Sequence, residues 1–366
     1  MQSAPKQRLD SLDVLRGIAA FAVLVFHMYR QYYDHLNGYH PILRNLGFWG
    51  VSIFFVLSGF CIHRPQAIRA ERGQGGLALR PFALNRIFRI VPAYYFAIVV
   101  CLIAGCFRTT GDISPPLGAY DVFFHFIFAH NFYPLGWRTI NGPFWTIALE
   151  AQFYLCYALA FKALDFSLKQ LTLAFMAALV WYFFVSRFIA EANPWRIVAQ
   201  EVFITTFWSW YLGALLAEWT VKKASFEKLK NFYGPRGRTL GFLFLAIALN
   251  FLVPVLNLRF HGSELNRWIM PYACAFLILT LVMLELAPTE TKQGRTPGFL
   301  AFHWLGTISY SLYLLHTVGL LAAVILFGGE SLESQFFCIV FSLVLGAASY
   351  LLVEKPFMDL RKKIAA

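Results

Sequence analysis

Ionisable side chains sit inside long apolar runs of this sequence, His27, Glu150 and His316 among them. Such groups are expensive within a bilayer and mark function or close pairing. An imidazole titrates near neutrality and can act as general base, nucleophile or metal ligand; a nearby carboxylate orients the ring or stabilises its charged form. At 1.5 Å per helical residue, His27 lies roughly 16 Å beyond Arg16, and Glu150 roughly 8 Å beyond Trp145. His316 lies roughly 18 Å into its own run, and Ser58-Gly59 roughly 14 Å beyond Trp49. In a hydrocarbon core of about 30 Å, four helices thus carry polar groups to nearly one depth.

A single polar residue of this kind is satisfied by one hydrogen bond across two helices. A carboxylate and two imidazoles meeting at one depth make a buried acid/base site the sharper reading. No HxxxH or HxxE pair places two ligands on one helix face, so no metal is expected. Ser58 and the Gly59 backbone either donate hydrogen bonds to an oxyanion or form a small-residue packing surface. Arg16, Arg64, Arg86 and Arg89 lie at the ends of apolar runs, with Arg86 and Arg89 three residues apart on one helix face. They either anchor the chain at the interface or clamp polyphosphate through bidentate bonds. Glu354 is expected to end the last helix and lock to a neighbouring arginine.

The elements that must hold these residues are membrane helices. The 366 residues are 59% hydrophobic and only 14% charged, with 39 phenylalanines. A water-soluble domain carries about 25% charged residues, so a soluble enzyme is excluded. The net charge of +12 is read through the membrane, with no nucleic-acid partner expected. Spans of about 20 residues are predicted near 14–33, 47–63, 88–106, 145–162, 168–189, 202–220, 239–257, 268–287, 304–327 and 336–353. Ten spans with both termini in the cytoplasm put 23 of the 31 Lys and Arg residues inside. The 120–134 stretch is too short to cross and reads as re-entrant or interfacial. The six cysteines (Cys61, Cys101, Cys106, Cys156, Cys274, Cys338) read as reduced packing residues. The expected fold is therefore an all-α polytopic bundle of about ten transmembrane helices plus that short segment.

The motifs along the chain then become familiar. Leu12-Asp13-Val14-Leu15-Arg16-Gly17 with His27, and Phe54-Phe55-Val56-Leu57-Ser58-Gly59-Phe60, resemble the first two signatures of the bacterial integral-membrane acyltransferase-3 family. Arg86-Ile87-Phe88-Arg89-Ile90-Val91-Pro92, Trp145-Thr146-Ile147-Ala148-Leu149-Glu150, Ser309-Tyr310-Ser311-Leu312-Tyr313-Leu314-Leu315-His316 and Val353-Glu354-Lys355-Pro356-Phe357 resemble the later ones, in order. Ala151 and Gln152 depart from a second acidic residue often found after the position of Glu150.

The resemblance implies an O-acyltransferase of the bacterial inner membrane. It would move an acyl group, usually acetyl, from cytoplasmic acyl-CoA (acetyl-CoA) to a sugar hydroxyl of an extracytoplasmic or lipid-linked glycan. The whole of 1–366 is expected to be one such domain, with no fused extracytoplasmic C-terminal domain, and membrane lipid its surroundings. His27 is the expected base or acyl carrier, Glu150 its orienting carboxylate and Ser58 an oxyanion donor. Arg16, Arg64, Arg86 and Arg89 would hold the donor's phosphates, while Asp13, Gly59, Tyr310 and His316 line the cavity. Direct transfer and a ping-pong path both remain open. The competing class is a proton-coupled transporter, which also uses midplane His and Glu; no inverted repeat supports it.

Overall fold

The computed structural model describes residues 9–33, 41–74, 77–105, 113–114, 116–164, 168–189, 193, 195, 203–259, 263–287, 296–329 and 331–365. Lys6, Arg8, Gly75, Gly76, Cys106 and the basic loop at 288–295 lie outside the described residues. Among the described residues there is no strand. The helices run α1 (Asp10–Tyr33), α2 (Pro41–Glu71), α3 (Leu79–Gly105), α4 (Ala119–Phe126), α5 (Phe144–Leu164), α6 (Leu168–Phe188) and α7 (Phe203–Val221). They continue as α8 (Lys223–Tyr233), α9 (Arg236–Arg259), α10 (Ser263–Leu286), α11 (Pro297–Phe327), α12 (Leu332–Ser349) and α13 (Lys355–Ala365).

Among the described residues, seven helical segments are long and apolar enough to cross a membrane: α1, α2, α3, α9, α10, α11 and the rod from α12 into α13. Helices α5, α6 and α7 cover the other three predicted runs. Phe244, Leu332 and Leu352 are each more than 75% exposed. Large apolar side chains presented outward in this way suit lipid rather than water, and the chain is a membrane protein. The eight residues of α4 rise only about 12 Å, too little to cross. One expectation needs correcting. Glu354 does not end the last helix, because a π turn at Tyr350–Glu354, closed by the Lys355 N–H on the Tyr350 carbonyl, carries the chain into α13. Widening the turn just before Pro356, which has no N–H to donate, lets the helix continue through it.

The chain divides into two compact units. The first comprises Met1–Phe26, Tyr39–Gly75 and Ser209–Ser309. Its helices approach closely where glycine permits it. A Cβ at Gly59 would stand 1.9 Å from the Trp210 carbonyl oxygen, and one at Gly213 would stand 1.9 Å from that of Val56. Reciprocal glycines thus let α2 and α7 touch backbone to backbone, the small-residue packing common in membranes. Glu285 of α10 caps α1, accepting from the Asp10 and Ser11 amides at 3.0 Å each and from Ser11 Oγ at 2.6 Å. A carboxylate at a helix N-terminus is favoured by both the unpaired amides and the dipole.

The second unit comprises His27–Gly38, Gly76–Trp208 and Tyr310–Ala366. Its core is aromatic: Tyr94 stacks on Phe128 at 4.6 Å between ring centroids and meets Phe144 edge-on at 5.0 Å. Buried Ser311 Oγ donates to buried Glu354 at 2.8 Å, tying α11 to the π turn. Gly319 packs against Ser342, and Gly346 against the backbone of Leu312.

Candidate active site

The second unit brings two of the sequence-predicted residues into direct contact. His316 Nε2 lies 3.2 Å from His27 Nδ1, with ring centroids 4.8 Å apart and planes tilted by 57°. His316 is 1% exposed, whereas His27 is half-buried. His316 Nδ1 lies 2.8 Å from the Tyr313 carbonyl, which can only accept, so the ring hydrogen of neutral His316 sits on Nδ1. Its Nε2 therefore offers a lone pair, and His27 Nδ1 must donate to it. That places the basic lone pair of neutral His27 on Nε2, a tautomer fixed through one relay of hydrogen bonds.

The α11 segment around His316 is held by polar groups from both sides. Asn141 Nδ2 donates to the Leu314 carbonyl at 3.0 Å, and Thr317 Oγ1 donates to Asn141 Oδ1 at 3.0 Å. The Thr146 hydroxyl meets the Tyr313 hydroxyl at 2.8 Å, and Ser342 Oγ reaches the His316 carbonyl at 3.3 Å. Asn141 follows Ile140, a fully buried residue at φ 63°. A β-branched residue in the left-handed region is strained by about 1–3 kcal/mol. Ser114 holds it there by two backbone bonds, at 2.9 and 3.3 Å. The turn thereby delivers Asn141 to α11.

Glu150 is half-buried and accepts a short hydrogen bond from Tyr154, one turn further along α5. Tyr310 and Tyr313 both lie within reach of its charge. The Tyr310 hydroxyl itself donates to the Ile90 carbonyl at 3.0 Å. Arg86 lies with Cζ 5.6 Å from the Tyr154 ring centroid, a cation–π contact, and Arg89 follows on α3. Arg86 Nε is buried without a hydrogen-bond acceptor among the described residues.

The remaining predicted residues belong to the first unit. Arg16 pairs with Asp13 at 2.8 Å and donates to Cys61 Sγ at 3.6 Å. Arg64 is buried on α2, where Glu285 lies within electrostatic reach. Ser58 precedes Gly59, and Gly59 forms the backbone contact with Trp210.

With this geometry in hand, comparison with known proteins is informative. The signature of a family described as "Acyltransferase domain" matches residues 9–353, nearly the full length. The chain belongs to this acyltransferase family. A peptidoglycan O-acetyltransferase of Listeria monocytogenes is 27% identical over 330 residues, covering 85% of this chain and 49% of the relative. A putative O-acetyltransferase of Staphylococcus aureus is 24% identical over 375 residues, covering 95% and 57%. A putative acetyltransferase of Acidianus two-tailed virus is 22% identical over 302 residues, covering 82% and 80%. The chain thus spans about half the length of the bacterial relatives. No solved structure matches it.

Two polar groupings of this acyltransferase chain escaped the sequence reading. In the first unit, buried His63 bonds Glu218 at 2.7 Å, and Lys222 holds the other Glu218 oxygen at 2.7 Å. In the second, the short segment holds His125 and His130 stacked at 3.8 Å between centroids and 5° between planes, both fully buried. His125 Nδ1 and Nε2 face the carbonyls of Asp121 and Thr139 at 2.9 and 3.0 Å. Neither His130 nitrogen has a hydrogen-bonding partner among the described residues. The signal for the second grouping was present, since two histidines five residues apart in an apolar segment carry the same expense as His27.

Proposed function

We propose that this protein is a membrane O-acetyltransferase that moves an acetyl group from cytoplasmic acetyl-CoA to a hydroxyl of an extracytoplasmic or lipid-linked glycan. The observation that carries this reading is the His316–His27 hydrogen bond, which leaves the lone pair of His27 on Nε2. The acceptor oxygen attacks the thioester carbonyl carbon while His27 Nε2 takes the hydroxyl proton. The C–S bond then breaks, the ester forms, and the imidazolium returns its proton to the departing CoA thiolate. His316 acts as a positioning residue, accepting from His27 Nδ1–H throughout. Glu150 would orient the His27 ring or stabilise its imidazolium form, and its place among Tyr154, Tyr310 and Tyr313 in the same unit supports this.

Arg86 and Arg89 would meet the donor's phosphates. The acceptor-less Nε of Arg86 supports this, since a buried guanidinium N–H without a partner costs free energy until an anion supplies one. Arg16 and Arg64 keep the same donor-side role, and Ser58 that of an oxyanion donor. The backbone contact at Gly59 also supports the packing alternative for the Ser58-Gly59 pair. Ten spans, cytoplasmic termini and the inner membrane of a bacterium complete the reading. The Listeria relative's name makes peptidoglycan the first acceptor to try.

The deciding experiment gives membranes acetyl-CoA labelled in the acetyl group and follows alkali-labile label in glycan. Wild-type membranes should label it, and membranes with equal amounts of His27→Ala should not. Equal labelling by both would remove His27 as base. Absence of wild-type labelling across peptidoglycan and lipid-linked glycans would favour the carrier class.

A further inference from the structure

Asp10 and Asp13 lie one turn apart at the start of α1, and His303 lies in the second turn of α11, all within the first unit. His303 Nε2 is 3.9 Å from Asp10 Oδ1 and 4.0 Å from Asp13 Oδ2. One donor atom from each residue falls within 4.8 Å of the others. Their side chains are 20%, 14% and 22% exposed, so the group is both held and reachable. We propose that these three residues bind a divalent transition-metal ion of the Mn2+ or Zn2+ class. The inference is independent of the acyl-transfer reading.

The fold brings the donors together through glycine. A Cβ at Gly306 would stand 1.9 Å from the Asp13 carbonyl oxygen, and one at Gly17 would stand 2.3 Å from the Phe302 carbonyl oxygen. With glycine at both positions, α11 can lie against α1 and set His303 opposite the two carboxylates. Arg16 Nη1 takes Asp13 Oδ1 at 2.8 Å, while Oδ2 is the oxygen turned to His303. A ligating carboxylate braced through its second oxygen is the usual arrangement around a bound metal. The His303 ring lies nearly parallel to that of Phe299, at 6.1 Å and 20°, which limits its rotation.

Chemistry narrows the ion. Metal–ligand bonds of about 2.0–2.2 Å bring donors to within about 3–4 Å of one another, so partly exposed side chains need close by only about 1 Å. One imidazole with two carboxylates suits Mn2+ or Zn2+, whereas Mg2+ and Ca2+ prefer all-oxygen sets. Sequence spacing gave no hint of this site, because no two histidines share a helix face and the third ligand comes from a distant helix. The bound ion would clip the first turns of α1 and α11 together.

The test uses the full chain purified in detergent, with any polyhistidine tag removed. Mn2+ is titrated in while the six-line electron paramagnetic resonance signal of the free ion is followed, and Zn2+ is tested by its effect on Tm. Wild type should take up one Mn2+ per chain and gain Tm with Zn2+. His303→Gln and Asp10→Asn should each weaken binding at least tenfold, with the metal-free Tm near that of wild type. A wild type that neither depletes the Mn2+ signal nor responds to Zn2+ would overturn the proposal, whatever the variants do. So would Asp10→Asn or His303→Gln binding as tightly as wild type. A third outcome, His303 simply paired with the two carboxylates and no metal, would appear as a Tm lowered by His303→Gln but indifferent to both ions in wild type, and it too overturns the proposal.

Discussion

The second unit contains two histidine pairs, and they differ in almost every physical respect. His27 and His316 meet through a nitrogen-to-nitrogen hydrogen bond with tilted rings, and His27 keeps partial exposure. His125 and His130 lie ring on ring, fully buried, with both His125 nitrogens facing carbonyls. The first arrangement joins a buried ring to one that is only half-buried. The second spends its polarity on holding α4 to the following turn and leaves no nitrogen that a substrate could reach. Proximity of two imidazoles is therefore not itself a mark of catalysis; the direction of the remaining lone pair and its access decide the matter.

The sharpest way to break this contrast is His27→Ala, expected to lower acetyl transfer by about 10²–10⁴-fold with normal abundance, the range a positioned general base supplies. Removing the relay should cost less. His316→Ala is expected to reduce kcat by about 10–100-fold with little change in KM, and His316→Gln, whose amide oxygen can accept from His27 Nδ1–H, should recover part of the loss. Equal failure of the alanine and glutamine variants in well-folded protein would argue against an orienting role.

The stacked pair should respond in stability rather than turnover. Burial holds His130 well below the usual imidazole range, with neighbouring His125 adding to the effect, and burial also lowers His125. Both groups thus favour the neutral form when folded. The stability they contribute is present above the unfolded pKa, about 6.5, and is lost as pH falls toward the depressed folded values. Protection of the amides in 118–141, taken as the intrinsic exchange rate at each pH divided by the observed rate, should fall between pH 7.5 and 5. His130→Phe, which keeps a stacking ring and removes the unpartnered nitrogens, should flatten that dependence and change stability at pH 7.5 by no more than about 1 kcal/mol. An unchanged pH profile in the variant would show that the stack is not the titrating element. The smallest effect is expected from Tyr154→Phe, which retains the ring beneath Arg86 and removes the bond to Glu150; a change of about threefold in kcat/KM, read from initial rates, is the expected scale.

Hydropathy located the long apolar helices, because length and apolarity are local properties, but not the polar helices α8 and α13, which carry no such signal. It also singled out His27, Glu150 and His316, since an ionisable side chain in an apolar run is conspicuous without any partner being known. The motifs pointed to the acyltransferase family on the same residues. The continuation past Glu354 was not legible, because a π turn is a register adjustment with no composition signal. Nor was the role of Asn141, which depends on a strained Ile140 that its buried surroundings and the backbone of distant Ser114 keep in place.

Depth along a helix follows from counting residues at 1.5 Å each, so the sequence by itself set the expected level of each side chain within its own helix. The bearing of each side chain about its helix axis, and the distance between neighbouring axes, depend on packing, and here on glycines such as Gly59, Gly213, Gly17 and Gly306, whose missing Cβ atoms let backbones touch. Only the tertiary structure therefore decided that His316 is in contact with His27 and that His303 faces Asp10 and Asp13. Hydrogen bonds reach about 3 Å, and a count of residues along separate helices has no such resolution.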